Sequence, residues 1–281
     1  MRLIAVPVLL VVLLAGCADR AGPIVDAVPA QAADPVALIG NWLVIGADEE
    51  EGTVLRLAGP SQVSDLSLWR SCGQLGGGWR ADGAGMFLAD VPSPTLCARN
   101  TVPSPSWLDR VTAYRLDGAD RELLDAGGAV VARLVPATEP IPVNPKLYLP
   151  DAAKPPVVTD EDRQGLRPGA PLPAGLTPAT AETLVGRWVA DAGVHQQVEP
   201  HVELNADSTW SGSDGCNPSR GRWIAGSGGT LLATIRPSTN IGCDNHPAGG
   251  WLFDARLAAI DGDQLVFFDA AAEELGRLHR G

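Results

Sequence analysis

The sequence predicts an α+β, mainly β protein built as two tandem domains, each a curled antiparallel sheet with one covering helix. Three observations carry this expectation. One register of residues occurs twice along the 281-residue chain. Each copy breaks into short runs with alternating or β-branched content, punctuated by glycine and aspartate. Each copy also holds one segment with a rough helical period.

The repeat sets the boundaries. Leu38-Ile39-Gly40-Asn41-Trp42 answers Leu184-Val185-Gly186-Arg187-Trp188, and Trp107-Leu108 answers Trp251-Leu252. Cys72 stands seven residues before Trp79, as Cys216 stands seven before Trp223. Asp117-Gly118 then matches Asp261-Gly262, Asp125 matches Asp269, and Arg133-Leu134 matches Arg277-Leu278. The domains are therefore 36–135 and 181–281, near the lower end of usual domain size. Between them, 136–180 holds eleven prolines and almost no apolar periodicity, which reads as a semi-rigid spacer of extended chain.

The second copy gives the clearer elements. Leu184–Ala190, Val198–Leu204, Ser208–Ser213, Gly221–Ala225 and Thr230–Arg236 read as antiparallel strands joined by tight turns. Pro247–Ile260 reads as the helix, with proline suited to its start. Gln264–Asp269 and Glu274–His279 read as a closing hairpin. The first copy follows the same plan, with a weaker helix at Ser106–Val111. Four tryptophans per copy bring large apolar areas to a small core. Core packing is the plain reading of Trp42, Trp79, Trp107 and their counterparts, and sugar stacking is the sharper one.

The N-terminus points to export. Met1-Arg2 precedes an apolar run from Leu3 to Leu14, which at about a dozen residues is short for a membrane span of roughly 20. Positive charge, short apolar run and small residues make a signal peptide, 1–17. Its Leu14-Ala15-Gly16-Cys17 ending resembles the bacterial lipoprotein signal, which implies lipidation of Cys17 and a membrane anchor through stably buried acyl chains. Residues 18–35 then form a tether. Without Cys17 four cysteines remain, an even number in an exported chain, and the repeat pairs them as Cys72–Cys97 and Cys216–Cys243. Loops of this size contribute about 3.5 kcal/mol each in the chain-entropy model. Zinc is the competing use, but the cysteines form no close Cys-x-x-Cys pair and no histidine lies at ligand spacing.

The chain carries a formal net charge of −12, and losing the leader's Arg2 makes it more acidic. Nucleic acid and anionic lipid headgroups are thereby disfavoured as partners, since both need a basic face.

The second copy resembles the META domain family, the HslJ-like group. The residues that carry the resemblance are Leu184-Val185-Gly186-Arg187-Trp188 and Ser211-Gly212-Ser213-Asp214-Gly215-Cys216-Asn217, with Gly221, Thr239, Cys243 and Trp251-Leu252 following. The first copy departs from this pattern, because Gly73 rather than asparagine follows Cys72. The resemblance implies an envelope setting linked with stress tolerance, and it supplies no catalytic residues.

Chemistry at the motif has two readings. The plain one makes Asp214-Gly215-Cys216-Asn217 a tight, disulfide-pinned turn at a strand end, with Gly215 at positive φ and Asp214 bonding its own backbone. The other makes Asp214 and Asn217, with His246 brought near by the Cys216–Cys243 bridge, a small ligand site. None of the four histidines, His195, His201, His246 and His279, sits in a nucleophile motif. Asp48-Glu49-Glu50-Glu51 reads as a solvated acidic loop. The sequence therefore predicts a non-catalytic, membrane-anchored envelope lipoprotein, with no cofactor and no metal, that binds another envelope protein or protects the envelope under stress. A small-molecule or glycan binder using a groove near Asn217 is the alternative, and an unrecognised hydrolase a more distant one.

Overall fold

The computed structural model describes residues 33–59, 65–92, 105–139, 141, 154–191, 193 and 196–281. The expected signal segment, its lipidation site Cys17, Cys97 and His195 lie outside the described residues. The first unit runs through β1 (Gly40–Ile45), β2 (Val54–Leu57), β3 (Leu66–Arg70), β4 (Gly73–Ala81), β5 (Phe87–Asp90), α1 (Ser106–Asp109), β6 (Ala113–Asp117), β7 (Asp120–Leu124) and β8 (Val130–Pro136). Next come α2 (Asp160–Gly165), β9 (Thr177–Pro178) and α3 (Ala181–Leu184). The second unit holds β10 (Gly186–Val189), β11 (His201–Leu204), β12 (Thr209–Ser213), β13 (Pro218–Ala225) and β14 (Leu231–Ala233). It ends with α4 (Ala248–Asp254), β15 (Leu257–Asp261), β16 (Gln264–Phe268) and β17 (Glu274–Arg280).

The protein is mainly β, with two antiparallel sheets, and each sheet curls until its ends meet. In the first the order is β5-β4-β3-β2-β1-β8-β7-β6, and Met86 lies opposite Ala113 to join β5 to β6. The Phe87 N–H donates to Thr112 O at 2.9 Å along this seam. In the second, Thr230 opposite Leu257 joins β14 to β15, and β9 adds a short strand beside β15. Closure removes free sheet edges. Inward-facing side chains fill both barrels: Leu55, Leu57, Leu66, Leu75, Trp79 and Phe87 in one, and Leu204, Trp210, Leu252, Leu265, Phe267 and Leu278 in the other.

One expected element needs correction. The helix read over Pro247–Ile260 stops at Asp254, and Leu257–Asp261 is strand β15. Leu257-Ala258-Ala259-Ile260 can take either helical or strand period. The Asp261-Gly262 turn, with Gly262 at φ +65°, and pairing with β16 decide for strand. The shortened helix packs against β11, β12, β14, β16 and β17, so it covers an end of the barrel.

The repeat register reappears as equivalent contacts. Trp42 Nε1 donates to Leu38 O and Trp188 Nε1 to Leu184 O, both at 2.8 Å. Asp125 Oδ1 accepts from the Gly127 and Ala129 N–H groups, and Asp269 Oδ1 from those of Ala271 and Glu273. Arg133 pairs with Asp117 at 2.8 Å, and Arg277 with Asp261 at 2.7 Å.

The two units pack together, contrary to the expectation of a spacer holding two surfaces apart. Met86, Leu88, Ile224 and Leu232 make a buried apolar cluster drawn from both. Arg236 grips Asp90 with two bonds, at 2.8 and 2.7 Å, and Arg222 donates to Ala89 O and Asp109 O. The Pro-rich segment contributes directly: Asp162 and Leu166 are buried, Leu166 in the first core, and Thr177–Pro178 extends the second sheet.

Candidate functional site

The Asp214–Asn217 turn joins β12 to β13 at the end of the second barrel that α4 covers. Gly215 sits at φ +106°, a conformation open to glycine, and its N–H donates to Ser213 Oγ at 3.1 Å. Asp214 Oδ1 accepts from the backbone N–H groups of Cys216 (2.8 Å) and Asn217 (2.6 Å). Its Oδ2 accepts from the side-chain amides of Asn217 (2.9 Å) and Asn245 (2.7 Å). Asn217 is buried and reaches across to the segment before Cys243: its amide donates to Ile241 O at 2.9 Å, and its carbonyl accepts from Ile241 N–H at 2.6 Å. The Cys216–Cys243 disulfide closes the same junction. Burial alone would raise the Asp214 pKa, but the bonds from Asn217, Cys216 and Asn245 outweigh it and hold the carboxyl below its ordinary range.

Sequence reasoning brought Asp214, Asn217 and His246 together, and the structure places them together. His246 N–H donates to Asp214 O at 2.7 Å. Its ring meets Trp251 edge-on, with centroids 4.7 Å apart. The buried Nδ1 has no hydrogen-bond partner among the described residues, and desolvation lowers the pKa, favouring the neutral imidazole. The side chains of Asp214 and Asn217, however, are spent on holding the turn. Seven of the eight tryptophans are buried, and Trp251 alone is partly exposed. Its ring lies against Gly276, where an added Cβ would come within 2.4 Å of three ring carbons.

The matching end of the first barrel is built differently. Glu49, expected in a solvated acidic loop, is a buried ion-pair partner with its side chain only 5% exposed. Arg70 donates to both its oxygens at 2.7 Å, and Trp107 Nε1 donates to Oε2 at 3.0 Å. Burial pushes the Glu49 pKa up, yet the bonds from Arg70 and Trp107 together with the Arg70 charge bring it below normal. A four-residue acidic run hid this role, because nothing local distinguishes Glu49 from its neighbours. The signal was the register itself: Arg70 stands where the second copy has Asp214. Cys72 is disulfide-bonded as well; its expected partner Cys97 is outside the described residues.

Beside Asn217, a concavity of about 370 Å³ opens between the start of β13 and the segment following β14, lined by Pro218, Ser219, Arg220, Arg236, Ser238 and Thr239. Among the described residues, no group of three or more His, Cys, Asp or Glu is disposed to hold a metal ion. Nor is any described helix long and apolar enough to cross a membrane. Comparisons with protein families, with curated proteins and with solved structures give no match to this chain.

Proposed function

We propose that this chain is an exported bacterial lipoprotein, anchored through Cys17, whose two META-like units bind another envelope protein and protect the envelope under stress without catalysing a reaction. The observation that carries the reading is the fate of the polar groups at the barrel ends. Asp214, Asn217, Glu49 and Arg70 are each engaged in bonds that fix their own loops. The Cys216–Cys243 bridge supports an oxidising compartment, since disulfides persist outside the reducing cytosol. Filled barrels leave the outer surface as the place for recognition.

The test joins anchoring to interaction. Labelled palmitate should enter the parent chain and be absent from Cys17→Ala, which should also leave the membrane fraction. Crosslinking in intact cells should recover the same envelope protein with the parent and lose it with the unanchored variant. A deletion strain as resistant to envelope stress as its parent, with no crosslinked partner, would remove the reading. A second reading, a small-molecule or glycan binder, has one observation in its favour: the concavity that begins at Pro218, the residue after Asn217.

A further inference from the structure

Resting on that second reading, the geometry points to a ligand class for the concavity: a small molecule bearing an oxyanion, carboxylate or phosphate, held by Arg220 with the Arg236 guanidinium and the hydroxyl of Thr239. The volume, about 370 Å³, lies within the range of small-molecule sites. No acidic side chain lines it, although the chain as a whole carries −12.

Its donors are uncommitted. The Arg220 side chain is exposed and has no hydrogen-bond or ion-pair partner among the described residues. The same holds for the hydroxyl of Thr239, whereas Ser219 Oγ faces Gly249 of α4 on the opposite side of β13. Arg236 presents Nε and Nη2 to Asp90, which leaves Nη1 for another acceptor and keeps the guanidinium fixed. Ser238 Oγ donates to Pro218 O and so ties the two walls together. A fixed guanidinium, a free one and a hydroxyl make a donor set suited to carboxylate or phosphate oxygens.

The repeat supplies an internal control. Leu68 pairs with Leu75 in the first barrel, and both are fully buried; Gly212 pairs with Ser219 at the same register in the second. The next residue is Gly76 in the first and Arg220 in the second. Folding the barrel therefore does not call for an arginine at the outward-facing position. At these two strand positions the polar side chains belong to the second copy.

The experiment is a titration of the full mature chain, ¹⁵N-labelled, at constant ionic strength, with sodium phosphate, sodium glucuronate and neutral N-acetylglucosamine. Saturable shifts of the Ser219, Arg220 and Thr239 amides with phosphate or glucuronate are expected, and whichever anion saturates identifies the oxyanion. Arg220→Gln should weaken that binding at least tenfold while leaving the rest of the spectrum superimposable, and Arg163→Gln elsewhere on the surface should leave it unchanged. Non-saturating shifts, or equal binding by Arg220→Gln, would overturn the proposal. Equal binding of the neutral sugar would overturn the charge assignment while leaving the second reading intact, and silence from all three probes would remove both.

Discussion

Replacing Asp214 by alanine should destabilise the protein by about 3 kcal/mol, because one carboxylate satisfies four donors. Two are backbone N–H groups, of Cys216 and Asn217, and Asn217 is buried. A buried donor left without its acceptor costs about 1–3 kcal/mol, and bonds to a charged acceptor contribute about 1.5–3 kcal/mol. The Asn245 amide is exposed and turns to water, so its share is near zero. The remaining three bonds share one turn and are not additive, which brings the sum to about 3 kcal/mol. For a chain of this size that corresponds to a Tm lowered by about 6–12 °C. The pH dependence carries a sign. The folded pKa of Asp214 is depressed, so its stabilisation is present above the unfolded value near 3.9 and is lost as pH falls through the folded value. Urea unfolding followed by tryptophan fluorescence at pH 7 and at pH 3 measures both effects. A variant within 0.5 kcal/mol of the parent at pH 7, or an equal difference at both pH values, would refute the reasoning.

The joint replacement Cys216→Ser and Cys243→Ser opens a loop spanning 27 positions, and should cost about 3.5 kcal/mol in the chain-entropy model. Reducing agent should then have less effect on the variant's unfolding than on the parent's. Ile224→Asp buries a charge in the apolar cluster between the units, and should separate them; small-angle scattering would show a larger radius of gyration, and an unchanged profile would contradict the packing described. Burial raises the pKa of Asp65 to about 6, against the pull of Arg80 2.9 Å away. Its contribution is therefore full below pH 3.9 and is lost as pH rises through 6, and a carboxyl NMR titration with a midpoint at or below 4 would disprove it. Gly276→Ala should drive a Cβ into the Trp251 ring and shift its emission, and an unaltered spectrum would show that the ring has room.

The fold class and the Cys216–Cys243 pairing were legible because duplication turns one sequence into its own alignment. Trp42 and Trp188, or Asp125 and Asp269, are noticed as pairs before either has a structural role, and the structure then gives both members the same bond. Closure of the sheets was not legible, since it rests on single bridges, Met86–Ala113 and Thr230–Leu257, between segments with no distinctive composition. The helix boundary at Asp254 was misplaced because an alanine-rich run carries weak periodicity of either kind. Glu49 was missed for a different reason: its partners Arg70 and Trp107 are 21 and 58 positions away. A groove lined by Arg220 and Arg236 is likewise non-local, made when β13 meets the segment after β14.

The way the two copies touch gives the duplication a physical meaning. Asp90 and Thr234 are counterparts in the repeat register, and Thr234 Oγ1 lies 3.4 Å from Asp90 Oδ2. Leu88 and Leu232, also counterparts, share the apolar cluster between the units. β5 packs on β13 while their counterparts β14 and β4 also pack together, and this reciprocity is that of two like surfaces facing each other about a two-fold, the geometry of an isologous dimer. The two barrels thus stand as such a dimer would, with the partner supplied in the same chain. Within one chain the two halves need not keep the surface identical: Asp90 carries a charge opposite Arg236, while its counterpart Thr234 is neutral. The same freedom applies at the barrel ends, where Glu49 and Arg70 seal one copy and the second has a partly exposed Trp251 against His246. If the copies have divided their labour, the first serves as the rigid platform and the second meets the ligand or partner. Substitutions at Arg220 should then alter binding while equally exposed positions of the first barrel, such as Arg115, leave it unchanged.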